Sequence, residues 1–272
     1  MGNRISAIII TKNEEKNIVN CIEALQWCEE ILVIDNGSVD ATCELAERLN
    51  ARIVRAENRT FSELRNVGKD ESHLDWLLYV DADERVTPKL SKAIESAVLM
   101  HQFQAYSLPR YNIHYGKWMQ HGGWEKDTLI RLFQKESLLQ WEGNVHEHAV
   151  IEGQIGLLTE PLVHLTHQNL VQGLRKSADW TPIEASAALQ HGMPKMTFFR
   201  MLRGMLKEFF VRYIQKKGYK DGTEGAIESM VQAMNRFYVY EQIWEQQRKP
   251  SLNETYEKID KEISNLWLNE KQ

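Results

Sequence analysis

Trp76-Leu77-Leu78-Tyr79-Val80-Asp81-Ala82-Asp83-Glu84 decides how the rest of the chain is read. Five consecutive apolar and aromatic residues describe a strand buried on both faces, and the run stops at a cluster of acids. The same shape occurs twice upstream. Ile5 to Ile10 runs into Thr11-Lys12-Asn13-Glu14, and Ile31-Leu32-Val33-Ile34 runs into Asp35. A shorter strand is predicted at Ala51 to Val54. Helix signals lie between these runs. Asn13-Glu14-Glu15 sets carboxylates at the positive end of a first helix, and Asp40 caps a second through Leu49. Ser62 caps a third, which carries Arg65 and Asn66. Thr87-Pro88 opens a fourth. Strand and helix in alternation imply right-handed β-α-β crossovers and a parallel sheet with helices on both faces.

In open sheets of this class, ligands bind beyond the C-terminal ends of the strands. Three polar clusters, Thr11 to Glu14, Asp35 to Asp40 and Asp81 to Glu84, therefore gather at one crevice. No GxGxxG follows the first strand and no GxxxxGK[ST] occurs. Before residue 100 the only glycines are Gly2, Gly37 and Gly68. A diphosphate bound here has no glycine-rich cradle, and carboxylates repel it unless a divalent cation lies between. Asp81 and Asp83, at i and i+2 after a buried strand, can converge on Mg²⁺ or Mn²⁺. An isolated D-x-D is more often a solvated acidic turn; its place beside two other acidic strand ends favours the metal.

Composition narrows the function classes. The chain has 272 residues, with 33 Lys+Arg against 38 Asp+Glu and a formal net charge of -5. A dedicated nucleic-acid binder would be strongly basic. Cys21, Cys28 and Cys43 are odd in number and lack metal-site spacing, as expected of reduced thiols in a cytosolic protein. The first residues lack the apolar region of a secretory signal. No apolar run approaches the roughly 18 residues needed to cross a bilayer. These features lead to the expectation of a cytoplasmic protein. Between Met193 and Lys220 there are eight Lys/Arg and one acid, Glu208, on an amphipathic helical pattern. A peripheral contact with the inner face of the cytoplasmic membrane is the matching expectation for residues 193–220.

Ile8-Ile9-Ile10-Thr11-Lys12-Asn13-Glu14-Glu15, Val33-Ile34-Asp35-Asn36-Gly37-Ser38-Val39-Asp40 and Tyr79-Val80-Asp81-Ala82-Asp83-Glu84 resemble, in order and spacing, family 2 glycosyltransferases of the GT-A fold. Arg131-Leu132-Phe133, Val145-His146-Glu147, His164 and Gly218-Tyr219-Lys220-Asp221-Gly222 extend the resemblance to a bacterial subgroup including the lipopolysaccharide-core β-1,4-glucosyltransferases. It implies an α/β fold, a Rossmann-like nucleotide-sugar-binding sheet flanked by helices, with a C-terminal helical extension. The expected division is 1–167 for the catalytic domain, 168–247 for the helical extension and 248–272 for a charged tail. Within the first, 1–100 is the nucleotide-sugar half and 101–167 the acceptor half.

The resemblance also implies roles. Glu14 and Asp35 contact the base and ribose of a nucleotide-diphosphate sugar, usually a UDP-sugar, and Thr11 lines the same pocket. Arg65 matches a basic position near the donor. Asp81 and Asp83 form the D-x-D site, with Asp83 the more direct metal ligand. Glu147 is the catalytic base, in a His-Glu variant of the usual Glu-Asp; Glu142 and Asp127 are its rivals. His146 and His148 would share one strand face and Glu147 the other. His164, with His167 as competitor, is the third metal ligand. Trp118, Trp124 and Trp141 are candidates for stacking on acceptor sugars, although each is more often core. The implied reaction is inverting transfer to a hydroxyl of a glycan or lipid-linked acceptor, or of a peptide. A nucleotidyltransferase or a non-catalytic glycan-binding protein is the alternative. The first would need a glycine-rich basic loop, and the second would not need both Asp83 and Glu147.

Overall fold

The computed structural model describes residues 5–125, 127–143 and 147–270. β1 (Ile5–Thr11) is buried along its whole length because it has a parallel neighbour on each side. These are β2 (Glu30–Asp35) and β4 (Trp76–Asp81), and β3 (Arg52–Arg55) adds to the outer edge of β2. Register sets Thr11 beside Asp35 and Ile10 beside Asp81, so the polar ends of three strands meet at one edge.

Strand alternation sorts the apolar side chains onto two faces. Ile5, Ala7 and Ile9 join Val33, Leu78 and Val80 beneath α1 (Ile18–Glu23) and α4 (Pro88–Met100). Ile8, Ile10, Ile34, Leu77 and Tyr79 form the other core with Leu64 of α3 (Phe61–Glu71). α3 lies close to the sheet at Gly68, where a Cβ would sit 2.5 Å from Ile8 Cγ2. α2 (Thr42–Arg48) precedes β3.

Several local expectations shift. Glu14 and Glu15 occupy a turn, and α1 begins only at Ile18. The cap of α3 is Thr60, not Ser62: Thr60 accepts from the Glu63 N–H while the Glu63 carboxylate accepts from the Thr60 N–H. The N-cap position of α2 is Ala41, not Asp40, although the Asp40 carboxylate accepts from the Thr42 N–H at 3.0 Å from one residue further out. The first four strands pair in parallel throughout, and the rest of the sheet is mixed. β5 (Glu84–Arg85) is a short strand next to the D-x-D segment. β6 (Ala105–His114), with β7 (Lys117–Trp118) paired to it, runs antiparallel to β8 (Thr128–Gln134), which itself runs antiparallel to β4. β9 (Leu138–Glu142) and β10 (His148–Ile151) form a separate hairpin. β11 (Ile155–Leu157) and β12 (Leu162–Leu165) return parallel to β6. β12 also pairs antiparallel with β5, opposing His164 to Glu84.

Two compact units divide after Gln168. The second holds α5 (Leu170–Gln190), α6 (Phe198–Phe209), α7 (Gly222–Gln246) and α8 (Leu252–Glu270). α6 runs on into a π-helical turn, Phe210–Gln215. Its inward face, with Met201, packs on α7 around Val239 and Ile243. No helix among the described residues is long and apolar enough to cross a membrane.

Candidate active site

Thr11 ends β1 with its Oγ1 buried and without a hydrogen-bond partner among the described residues. Beside it, Asp35 closes β2 and accepts from the backbone N–H groups of Gly37 (3.2 Å) and Ser38 (3.1 Å). The turn needs a residue with positive φ, and Gly37 supplies it at +81°. Burial and the adjacent Asp35 charge push the Cys43 thiol up to about 11. Glu14 is half-buried; its backbone N–H donates to Thr42 Oγ1 and its carboxylate accepts from Asn17 Nδ2 at 2.7 Å. Thr11, Glu14 and Asp35 thus stand on two adjacent strand ends.

Asp81, at the end of β4, is held by two guanidiniums. Arg131 on β8 donates to Oδ2, and Arg65 on α3 donates to Oδ1 at 3.2 Å. Burial by itself would raise the Asp81 pKa. The Arg131 and Arg65 charges outweigh it and hold the carboxyl well below the usual carboxylate range. Arg131 also reaches the wholly buried Glu84 at 3.1 Å, and Glu84 receives Arg110 at 3.3 Å and the Asp81 N–H at 2.9 Å. Burial works against the Arg131 charge, but Asp81 and Glu84 keep it firmly protonated.

Arg65 links this cluster to the expected base. Its Nη2 lies 3.2 Å from Glu147 Oε1 as well as from Asp81 Oδ1, and its side chain is 5% exposed. The guanidinium stacks over Trp141, 4.9 Å from the ring centroid. Its Nη1 is buried without a hydrogen-bond partner among the described residues. Glu147 lies just before β10 rather than on it, since that strand begins at His148. His146, the first half of the His-Glu pair, lies outside the described residues. The two rivals differ in their surroundings: Asp127 is bound by Arg110 Nε (2.7 Å) and Asn112 Nδ2 (2.8 Å), while Glu142 is exposed next to His148.

Asp83 and His164 meet across the β5–β12 pairing, Oδ2 to Nε2 at 3.4 Å. The backbone fixes them too, because the Leu165 N–H donates to the Asp83 carbonyl at 2.8 Å. The wholly buried Asn112 gives its Nδ2 hydrogen to Asp127, so its Oδ1, 2.7 Å from His164 Nδ1, must accept. That leaves the proton of a neutral His164 on Nδ1 and the lone pair of Nε2 facing a carboxylate. Two electron-pair donors face each other at 3.4 Å, which a proton or a cation between them relieves. One carboxylate oxygen and one imidazole nitrogen, the latter oriented from behind by an amide, are donors suited to Mn²⁺ or Mg²⁺. His167, the competitor, instead faces His114, Nδ1 to Nδ1 at 3.0 Å.

Of the tryptophans, Trp141 is core, edge-on to Tyr79 and Phe133. Trp118 is partly exposed and stacks on Tyr111 at 4.0 Å. With Trp124 and Asp127 this pair lines a cleft of about 240 Å³. Sequence reasoning attached no role to Arg131, Glu84, Arg110 or Asn112. The available signal was a charged residue inside an apolar strand, as in Thr128-Leu129-Ile130-Arg131-Leu132-Phe133.

The sequence around these residues is similar to that of known proteins. Residues 6–151 fit the model of Glycosyl transferase family 2. A lipopolysaccharide core biosynthesis glycosyltransferase, LpsC, of Rhizobium meliloti is 25% identical over 89% of this chain and 92% of its own. An uncharacterized glycosyltransferase of Rickettsia felis is 26% identical over 86% of this chain and 87% of its own. The crystal structure of S. aureus TarS residues 1–349 in complex with UDP aligns at a TM-score of 0.48 and 12% identity, over 89% of each chain. The family match spans more than half of the chain and contains the three acidic strand ends, and the chain belongs to the family 2 glycosyltransferases.

Proposed function

We propose that this glycosyltransferase moves a sugar, with inversion, from a UDP-sugar to a hydroxyl of a cell-surface glycan or lipid-linked acceptor. One observation carries the reading. Asp83 and His164 stand together at the strand edge, Oδ2 to Nε2 at 3.4 Å, and a continuous chain of contacts joins them through Asn112, Asp127, Arg110, Glu84, Arg131, Asp81 and Arg65 to Glu147. This connected set of side chains supports a donor site and a base held in one arrangement.

Asp83 and His164 would hold Mg²⁺ or Mn²⁺, whose positive charge would offset that on the departing diphosphate. Asp81, with each oxygen on a guanidinium, is assigned to ordering Arg65 and Arg131 as much as to ligation. Glu14, Asp35 and Thr11 bind the nucleoside; Thr11 Oγ1 and Arg65 Nη1, without a partner among the described residues, are polar atoms that a bound donor would satisfy. Glu147 accepts the proton of the attacking hydroxyl. Its contact with Arg65 fixes its position, and a carboxylate base toward a sugar hydroxyl works through position more than through basicity. Tyr111 and Trp118 offer the apolar surface on which an acceptor sugar ring would stack. The name of the Rhizobium relative supports a glycan acceptor of the cell surface.

A panel of nucleotide sugars, incubated with protein and Mn²⁺ or chelator, tests the reading through release of nucleoside diphosphate. Metal-dependent hydrolysis of a UDP-sugar is expected. A protein that instead consumes a nucleoside triphosphate, or leaves every donor intact with and without acceptor, contradicts it.

A further inference from the structure

α6 and its π-helical continuation carry a surface that the transfer chemistry does not use. Helical spacing places Met201, Met205, Glu208 and Arg212 on one side, and Met201 is buried there. Phe199, Arg203, Leu206 and Phe210 fall on the opposite side, with Ile214 continuing the line in the π turn. Phe199 is 79% exposed, Leu206 56% and Phe210 51%. Phe198, also exposed, packs edge-on against Phe199 and widens the apolar end. Large apolar side chains in a line on an open surface mark a contact site.

The charges around the ridge state what kind of contact. Arg200 and Lys207 flank one side, Arg203 lies within it, and Lys216, Lys217 and Lys220 follow; all six are exposed. Glu208, the single acid of the segment, is turned to the inner side and paired with Arg212 at 2.7 Å, so it does not offset them. This cationic strip sits on a chain whose net charge is -5, so the positive excess is local. Apolar side chains in a row with cationic neighbours on the same face suit the boundary between anionic headgroups and acyl chains.

We propose that the Phe199–Leu206–Phe210–Ile214 ridge lies in the surface of an anionic lipid bilayer, with Arg200, Arg203 and Lys207 on the headgroups. The contact is independent of the transferase reading, since none of these residues belongs to the active site.

Flotation of the full-length protein with phosphatidylcholine vesicles, with and without phosphatidylglycerol, tests it. The native protein is expected to float with the anionic vesicles and to be released by salt. Each basic residue close to an anionic surface is worth roughly fivefold in partitioning. Arg200→Ala, Arg203→Ala and Lys207→Ala together should therefore weaken binding on the order of a hundredfold. Phe199→Ser with Phe210→Ser should abolish flotation. Melting temperature and donor hydrolysis should stay native in both variants, which separates lost binding from lost folding or chemistry. Undiminished flotation of both variants overturns the proposal. So does a native protein that ignores anionic vesicles, or that forms dimers which the serine variants dissolve.

Discussion

Replacing Arg131 by Met removes the cation shared by Asp81 and Glu84. The side chain is 4% exposed and Glu84 not at all, so no water replaces the partner that Glu84 loses, while Asp81, 29% exposed, is partly hydrated. Arg110 still reaches Glu84 at 3.3 Å and Arg65 still reaches Asp81 at 3.2 Å, so each carboxylate keeps half of its support. Removing one member of a buried ion pair costs about 3–5 kcal/mol. At about 2–4 °C per kcal/mol for a unit of this size, the melting temperature should fall by roughly 6–20 °C. Arg131→Lys should not restore it, because a single ammonium cannot donate along two directions as a planar guanidinium does. Urea unfolding across pH gives a second check. The folded pKa of Asp81 lies below its unfolded value of about 3.9, so its contribution is complete above that pH and lost as the pH falls through the folded value. The stability gap between native protein and Arg131→Met should therefore be widest at neutral pH and shrink in acid. A gap under about 1 kcal/mol, or one that does not change with pH, would refute the reasoning.

Further expectations concern the base, the histidine and the helix that carries Arg65. Glu147→Gln should lower turnover by roughly 10²–10⁴-fold with donor affinity nearly unchanged, whereas Glu142→Gln should be near native in steady-state assays. Asp127→Asn should chiefly lower stability, because Asp127 anchors Arg110 and Asn112; a dead but fully stable Asp127→Asn enzyme would move the base there. Asn112→Ala frees the His164 ring and should weaken Mn²⁺ affinity roughly 10–100-fold in a metal titration, leaving metal-free nucleotide binding alone. Thr60→Ala removes the capping box of α3 and should cost about 1 kcal/mol in chemical denaturation, with a smaller loss for Ser62→Ala.

The donor side of the fold was legible because its signals are local. An apolar run ending in an acid marks both a buried strand and the side of the sheet where that acid emerges, and Asp35 and Asp81 stand at strand ends on either side of β1. Asp83 and His164 are 3.4 Å apart, though the chain between them makes seven further strands. That pairing came from the resemblance, since no periodicity relates the two positions. The antiparallel half was not legible. Arg131 reaches Glu84 only because β8 runs back along β4, a choice of direction that the apolar pattern of either strand does not record. Trp141 shows the same limit: aromatic character alone does not distinguish a sugar platform from a core residue under Arg65. The cap of α3 was misplaced by two residues because Thr60 and Ser62 are both good caps, and Glu63 decides between them by reaching back to Thr60.

The most direct test of the proposed metal-assisted donor site is calorimetry of UDP binding as Mn²⁺ is raised, in the native protein and in Asp83→Asn. Native affinity should tighten with the metal and collapse with chelator. Asp83→Asn should keep the melting temperature within a few degrees yet lose the metal dependence, because the amide cannot supply the charge that faces His164 Nε2. Equal UDP affinity with Mn²⁺ and with chelator in the native protein would contradict the assignment and remove the cation from the mechanism.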